Sequence, residues 1–134
     1  MKKLLAIVVL SLLWSSSANA RIILFKNCGF ETEDYDRWEY KINTSKKKIE
    51  SIQIYSDKWY EYMKKTKQSS GPKINKQEYN IDYYSPPYLK GTRDFVYKFK
   101  KRREELDFSL NNKKIIQTFF YEDGSNLSTE IKCK

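Results

Sequence analysis

Cys28 and Cys133 stand near the two ends of a 134-residue chain, and their distance apart in sequence limits their chemistry. A thiol pair that cycles between redox states commonly sits two residues apart, which these do not. An even cysteine count in a chain that leaves the cytoplasm reads instead as one structural disulfide. Closing a loop of about 100 residues removes up to about 4.7 kcal/mol of unfolded-state freedom in the chain-entropy account. The chain contains no histidine. That excludes Ser-His-Asp and Cys-His nucleophilic catalysis as usually built, and imidazole-ligated zinc, copper or haem. With the cysteines engaged with each other, thiolate metal sites go too. Gly29, Gly71, Gly91 and Gly124 are too dispersed for a phosphate-cradling loop. Glu31, Glu33, Asp34 and Asp36 lack the spacing and glycine of a calcium loop and read as a solvated segment. Neither metal nor cofactor is expected.

Carboxylates leave one catalytic route open. Glycoside hydrolysis needs two of them roughly 5–9 Å apart. Glu104 and Glu105 are adjacent and would face opposite ways in a strand, whereas Asp82 and Asp94 flank Pro86-Pro87 and could meet across that turn. Neither pair carries a specific signature, so no enzymatic activity is expected, and a carboxylate-based hydrolase is the catalytic alternative.

Non-covalent chemistry is better supplied. Basic side chains cluster at Lys46, Lys47 and Lys48, at Lys64, Lys65 and Lys67, at Lys100, Lys101, Arg102 and Arg103, and at Lys113 and Lys114. Aromatic residues recur in the middle of the chain, with Tyr79, Tyr83, Tyr84, Tyr88, Phe95, Tyr97, Phe99 and Phe108 on what read as neighbouring strands. Rings with a polar tip suit the mouth of a barrel that holds an apolar ligand, and they serve equally as core in a protein short of Leu and Val. The candidates for binding a small apolar or lipid-like molecule are Trp59, Tyr83, Phe95, Tyr97 and Phe99. Those for binding an anionic surface or a protein partner through basic loops are Lys46, Lys47, Lys48, Lys101, Arg102 and Arg103.

The first twenty residues say where this chemistry is used. Lys2 and Lys3 precede an apolar run from Leu4 to Trp14, and Ser15 to Ala20 ends in a small-x-small pattern. This is a cleavable secretory signal of bacterial type, too short for a permanent anchor. Residues 21–134 then form the mature single domain, periplasmic or extracellular, with no transmembrane segment. The formal charge of the whole chain is +9. Such a balance invites a nucleic-acid reading, but export removes genomic nucleic acid as a partner. Lipid headgroups and acidic envelope polymers remain. A genome rich in A and T would also yield much Lys, Asn, Ile, Tyr and Phe whatever the function.

The elements that must position these residues alternate with period two. Trp38, Tyr40 and Ile42 alternate with charged or polar neighbours, as do Tyr79, Ile81 and Tyr83, then Leu106, Phe108 and Leu110, and lastly Leu127, Thr129 and Ile131, while Phe95, Tyr97 and Phe99 alternate with Asp94, Val96 and Lys98. Each run has one face for a core and one for water, the pattern of antiparallel sheet. The fold class is all-β: seven or eight strands in a small barrel or strongly curved meander, with a sandwich second. Thr44–Lys47, Asn111–Lys113 and Glu122–Asn126 read as turns, Lys101–Glu104 as a charged turn, and 85–93 as irregular. Ile49 and Ile52 fall out of phase, which predicts a bulge. Ile115–Tyr121 is apolar on both faces and reads as a central, doubly covered strand. Asp57–Lys67 reads as a short helix capped by Ser56 or Asp57 with Trp59, Tyr62 and Met63 on one side, or alternatively as a strand through Lys58–Met63. In a meander, basic residues would fall at both ends of the sheet, the arrangement of general solubilisation. The expected function is an exported, non-enzymatic domain whose ligand sits between the aromatic face and Ser56–Lys76.

Overall fold

The computed structural model describes residues 21–29, 36–66 and 73–134. The predicted signal segment, Glu31, Glu33, Asp34, Lys67, Gly71 and Pro72 lie outside them. Eight strands follow in order: β1 (Ile22–Gly29), β2 (Arg37–Asn43), β3 (Lys48–Ile54), β4 (Ile74–Ser85), β5 (Tyr88–Tyr97), β6 (Lys100–Ser109), β7 (Lys114–Phe120) and β8 (Asn126–Lys132). Each pairs antiparallel with the next, and β8 meets β1 at Lys132–Gly29, closing a barrel. Helix α1 (Asp57–Lys65) lies between β3 and β4. Ser56 caps it by accepting a hydrogen bond from the Trp59 backbone N–H at 3.2 Å. The barrel and the helix are as the periodicity predicts, and full closure leaves no place for a sandwich.

Alternation sends one side chain in two inward. Phe25, Tyr40, Ile42, Ile49, Tyr79, Leu89, Leu106, Phe108, Ile115 and Ile131 form one buried core. Phe108 is contacted edge-on by Phe25 at 5.4 Å and by Tyr40 at 5.5 Å between ring centroids. A methyl group at Gly91 would lie 2.4 Å from Ile49 Cδ1, so the glycine makes room for that side chain inside the barrel. Cys28 and Cys133 are joined as a disulfide. It reinforces the β1–β8 seam, where the ladder itself is a single residue pair.

The meander gives the barrel two unlike ends. Arg21, the turns at residues 44–47, 86–87 and 110–113, and Cys133-Lys134 share the terminal end. Helix α1, the Lys98-Phe99 turn and the turn at 121–125 share the helix end.

Four expectations need correction. Strand β3 pairs without interruption on both sides. Its phase is regular because Ile49, Ser51 and Gln53 face inward and Ile52 outward. The bulges are in β1, between Phe25 and Cys28, and in β4, between Ile81 and Tyr83. Strand β7 is not doubly covered: in a closed barrel no strand is central, and Ile116 is 45% exposed. The segment 85–93 is mostly strand, interrupted only at Pro86-Pro87. Finally, the charged turn is misplaced. The chain reverses at Lys98-Phe99, both at positive φ (49° and 63°), so Lys101, Arg102, Arg103 and Glu104 belong to β6. A two-residue turn with both residues left-handed matches the twist of a hairpin, and this one forms without the usual Asn or Gly.

Candidate functional site

The interior changes character along its axis. Toward the terminal end the inward side chains Ile42, Ile49, Leu106, Phe108 and Ile115 are sealed. Midway sits a buried carboxylate. Glu104 accepts from Arg93 Nε at 2.6 Å, from Tyr79 Oη at 2.9 Å and from Gln117 Nε2 at 2.5 Å. Arg93 Nη1 donates in turn to Gln77 Oε1 at 2.6 Å, and its guanidinium lies 4.3 Å from the Phe95 ring centroid. Burial foremost, with the nearby Glu104 charge, raises the hydroxyl pKa of Tyr79 and of Tyr40 far above the usual phenol range.

Beyond that layer the barrel opens. The β4–β5 ladder ends at Asn80–Thr92, although β4 continues beside β3 to Ile74 and β5 beside β6 to Tyr97. The two strands part toward the helix end, and the Arg93–Gln77 hydrogen bond spans the gap. The inward wall there consists of Phe95, Tyr97, Arg102, Phe119, Tyr121 and Leu127. Tyr97 remains 49% exposed and Leu127 57%. Arg102 stacks with its guanidinium 4.9 Å from the Tyr97 centroid and 4.8 Å from that of Tyr121.

Of the five aromatic candidates, the fold brings Phe95 and Tyr97 together on this wall. Tyr83 is turned outward by the β4 bulge and lies at the outer surface opposite Lys90. Tyr84 takes the inward place beside the core. Phe99 stands at the hairpin tip, wholly exposed. Trp59 stacks on Tyr62 at 5.3 Å on the exposed side of α1, whose buried side chain is Met63.

The basic candidates divide similarly. Arg102 faces inward, and Lys101 and Arg103 face outward on β6. Arg103 lies within 3.5 Å of both Asp82 and Asp94, so the fold brings these two carboxylates to one guanidinium on the outer face. Glu105 faces outward toward Lys90 and Arg103, away from Glu104, as adjacency in a strand requires. A cleft of about 550 Å³ on this part of β5–β7 is lined by Phe95, Val96, Arg102, Phe120 and Tyr121, together with Asp94, Lys101, Arg103 and Glu122.

Lys48 is committed to Glu78 at 3.0 Å and to Asn80 at 2.7 Å. Lys46 and Lys47 are exposed on the 44–47 turn. Here the arrangement departs from the expected even spread of charge. The turns and termini at the terminal end carry Arg21, Lys46, Lys47, Lys113 and Lys134 and no Asp or Glu. At the helix end the described connections mix Lys58, Lys64, Lys65, Lys73 and Lys98 with Asp36, Asp57, Glu61, Glu122 and Asp123. Lys47 and Lys113 occupy matching places, each at positive φ (53° and 50°) as the last residue of a four-residue turn. Each also uses its carbonyl to accept from the next strand, Ile81 N at 3.0 Å and Cys133 N at 2.9 Å. Sequence reasoning grouped Lys113 with Lys46 and Lys47 but missed Arg21 and Lys134 as members of this surface, and Arg93, Glu104 and Tyr121 as members of the interior.

These features define a class: a closed eight-stranded meander barrel, filled at one end, open at the other among the described residues, with a basic cap over the filled end. No protein-family model, curated protein or solved structure matches the chain.

Proposed function

We propose that this protein is an exported, non-enzymatic barrel that attaches through its terminal end to anionic surfaces of the cell envelope. The observation that carries the reading is the acid-free cap of Arg21, Lys46, Lys47, Lys113 and Lys134. A basic residue near an anionic lipid surface contributes about 1 kcal/mol, so attachment by such a cap is reversible and sensitive to salt. The leader-like first twenty residues and the Cys28–Cys133 disulfide support a location outside the cytoplasm. The outer barrel face carries Glu39, Lys41, Glu50, Glu78, Lys90 and Asp107, which suits water rather than hydrocarbon. No helix among the described residues is long and apolar enough to cross a membrane. The absence of catalysis is supported by the engagement of each candidate carboxylate with a cation.

The test is co-sedimentation of the mature protein with vesicles of phosphatidylglycerol and phosphatidylcholine at rising salt. Binding that needs the anionic lipid and falls steeply between about 0.05 and 0.5 M salt supports attachment. Binding that is absent, or indifferent to salt, removes it. A second reading, capture of an apolar or lipid-like ligand, is favoured by the aromatic wall at the open helix end.

A further inference from the structure

We propose that Arg102 is the head-group site for a carboxylate-bearing amphiphile entering the open helix end of the barrel. This rests on the second reading above and gives it a ligand class; it is independent of the basic cap. The argument begins with two arginines on one inward surface, one ladder step apart. In the β5–β6 register Arg93 lies opposite Glu104, and Phe95 lies opposite Arg102. Arg93 is satisfied by the Glu104 carboxylate and the Gln77 amide. For Arg102, one step nearer the opening, no described residue supplies a carboxylate or a hydrogen-bond acceptor. Its described partners are the faces of Tyr97 and Tyr121.

Two flanking rings fix the plane of a guanidinium and leave its edge, with the N–H donors, free to meet an acceptor in that plane. A carboxylate matches the guanidinium fork by two parallel hydrogen bonds. The inward side chains next to this cation are mostly apolar, while Asp94 and Glu122 line the adjoining cleft. Phe95 lies across from Arg102, and Phe119 and Leu127 face each other on the β7–β8 ladder. A guanidinium with no carboxylate partner among the described residues, set beside apolar side chains and with Lys98 Nζ also 5.4 Å from the Tyr97 centroid, is matched by a ligand with one negative end and a hydrocarbon body. The hydrocarbon lies against Phe95, Phe119 and Leu127, while the Glu104 layer below closes the floor and repels a carboxylate that enters too deep.

The experiment is calorimetric titration of the full mature chain with palmitate below its micellar concentration, with methyl palmitate, and with acetate. It is repeated for Arg102→Gln, for Arg102→Lys and for Lys46→Gln/Lys47→Asn/Lys113→Asn. Palmitate should bind, methyl palmitate about ten- to a hundredfold more weakly, and acetate undetectably, since a charge-assisted pair discriminates on that scale. Arg102→Gln should abolish the preference for acid over ester and leave ester binding in place. Arg102→Lys should keep part of the preference. The triple variant of the cap should bind palmitate as the parent does. Equal affinity for acid and ester overturns the assignment of Arg102 while leaving apolar capture standing. A preference lost in the cap variant but kept in Arg102→Gln overturns it in favour of the cap. No binding of either long-chain compound overturns both this inference and the reading on which it rests.

Discussion

Glu104 is the residue on which the interior turns. A carboxylate 1% exposed is tolerable because three donors reach it and one of them is a guanidinium. Removing the acid strands Arg93 in the same low-dielectric layer, so Glu104→Ala should cost about 3–5 kcal/mol of stability. Glu104→Gln, which keeps the shape and some of the hydrogen bonds, should cost less. Urea unfolding midpoints of the two variants check the order, and equal losses would mean that charge pairing is not what holds the layer. Tyr79 adds a pH dependence whose sign is fixed. Its folded pKa lies above the ordinary phenol value of 10.0, so the unfolded chain releases this proton at lower pH than the native one. The contribution is fully present below pH 10 and is lost as pH rises above it. Alkaline titration should therefore show native phenolate absorbance lagging behind that of the urea-unfolded chain, with a smaller lag in Tyr79→Phe.

At the scale of elements, the turns carry a cost that composition does not explain. Lys47, Lys98, Phe99 and Lys113 all occupy left-handed backbone, which is unfavourable by roughly 1–2 kcal/mol for a residue with a Cβ and less so for Asn. Lys98→Asn with Phe99→Gly should relieve the β5–β6 hairpin and stabilise the fold by about 1–2 kcal/mol, read from the urea midpoint. Lys47→Asn with Lys113→Asn should stabilise too, while weakening vesicle binding at low salt. Stability gained together with affinity lost would mark those lysines as kept for attachment rather than for folding. The same turns explain what could be read from sequence. Strict alternation made the strands plain, and Asp123-Gly124 announced its turn. Lys98-Phe99 announced nothing, because its conformation is imposed by the pairing of Phe95 with Arg102 and of Tyr97 with Lys100 rather than by its own side chains. Misplacing it moved Lys101, Arg102 and Arg103 from strand to loop and hid the inward direction of Arg102. Tyr83 went astray through the β4 bulge, which shifts the phase by one residue without any Gly or Pro to signal it. The open mouth was invisible for a further reason: it depends on where the β4–β5 ladder stops, a property of two strands rather than of either alone.

For the whole molecule the decisive feature is how the barrel is closed. Seven of its junctions are extended ladders, whereas β8 and β1 share the pair Lys132–Gly29. The disulfide spans a sequence separation of 105 residues at this seam. Replacing both cysteines by serine releases the unfolded chain from a loop worth up to about 4.7 kcal/mol in the entropy account, a large share of the roughly 5–15 kcal/mol available to a domain. The double variant should therefore remain foldable only marginally, with a urea midpoint well below that of the oxidised parent. The seam also predicts where the loss is felt first. Hydrogen exchange under native conditions should quicken in β1 and β8 before it does in β5 and β6, which share the longest ladder. Uniform acceleration through all eight strands would mean instead that the bond acts only on the unfolded chain. A polarised result has a consequence for binding. Lys134 of the basic cap directly follows Cys133 of the disulfide, so a loosened seam should disperse part of that charge. Weaker vesicle binding by the cysteine variant, measured where it is still folded, would then tie attachment to oxidation, as expected of a protein that acts where disulfides persist.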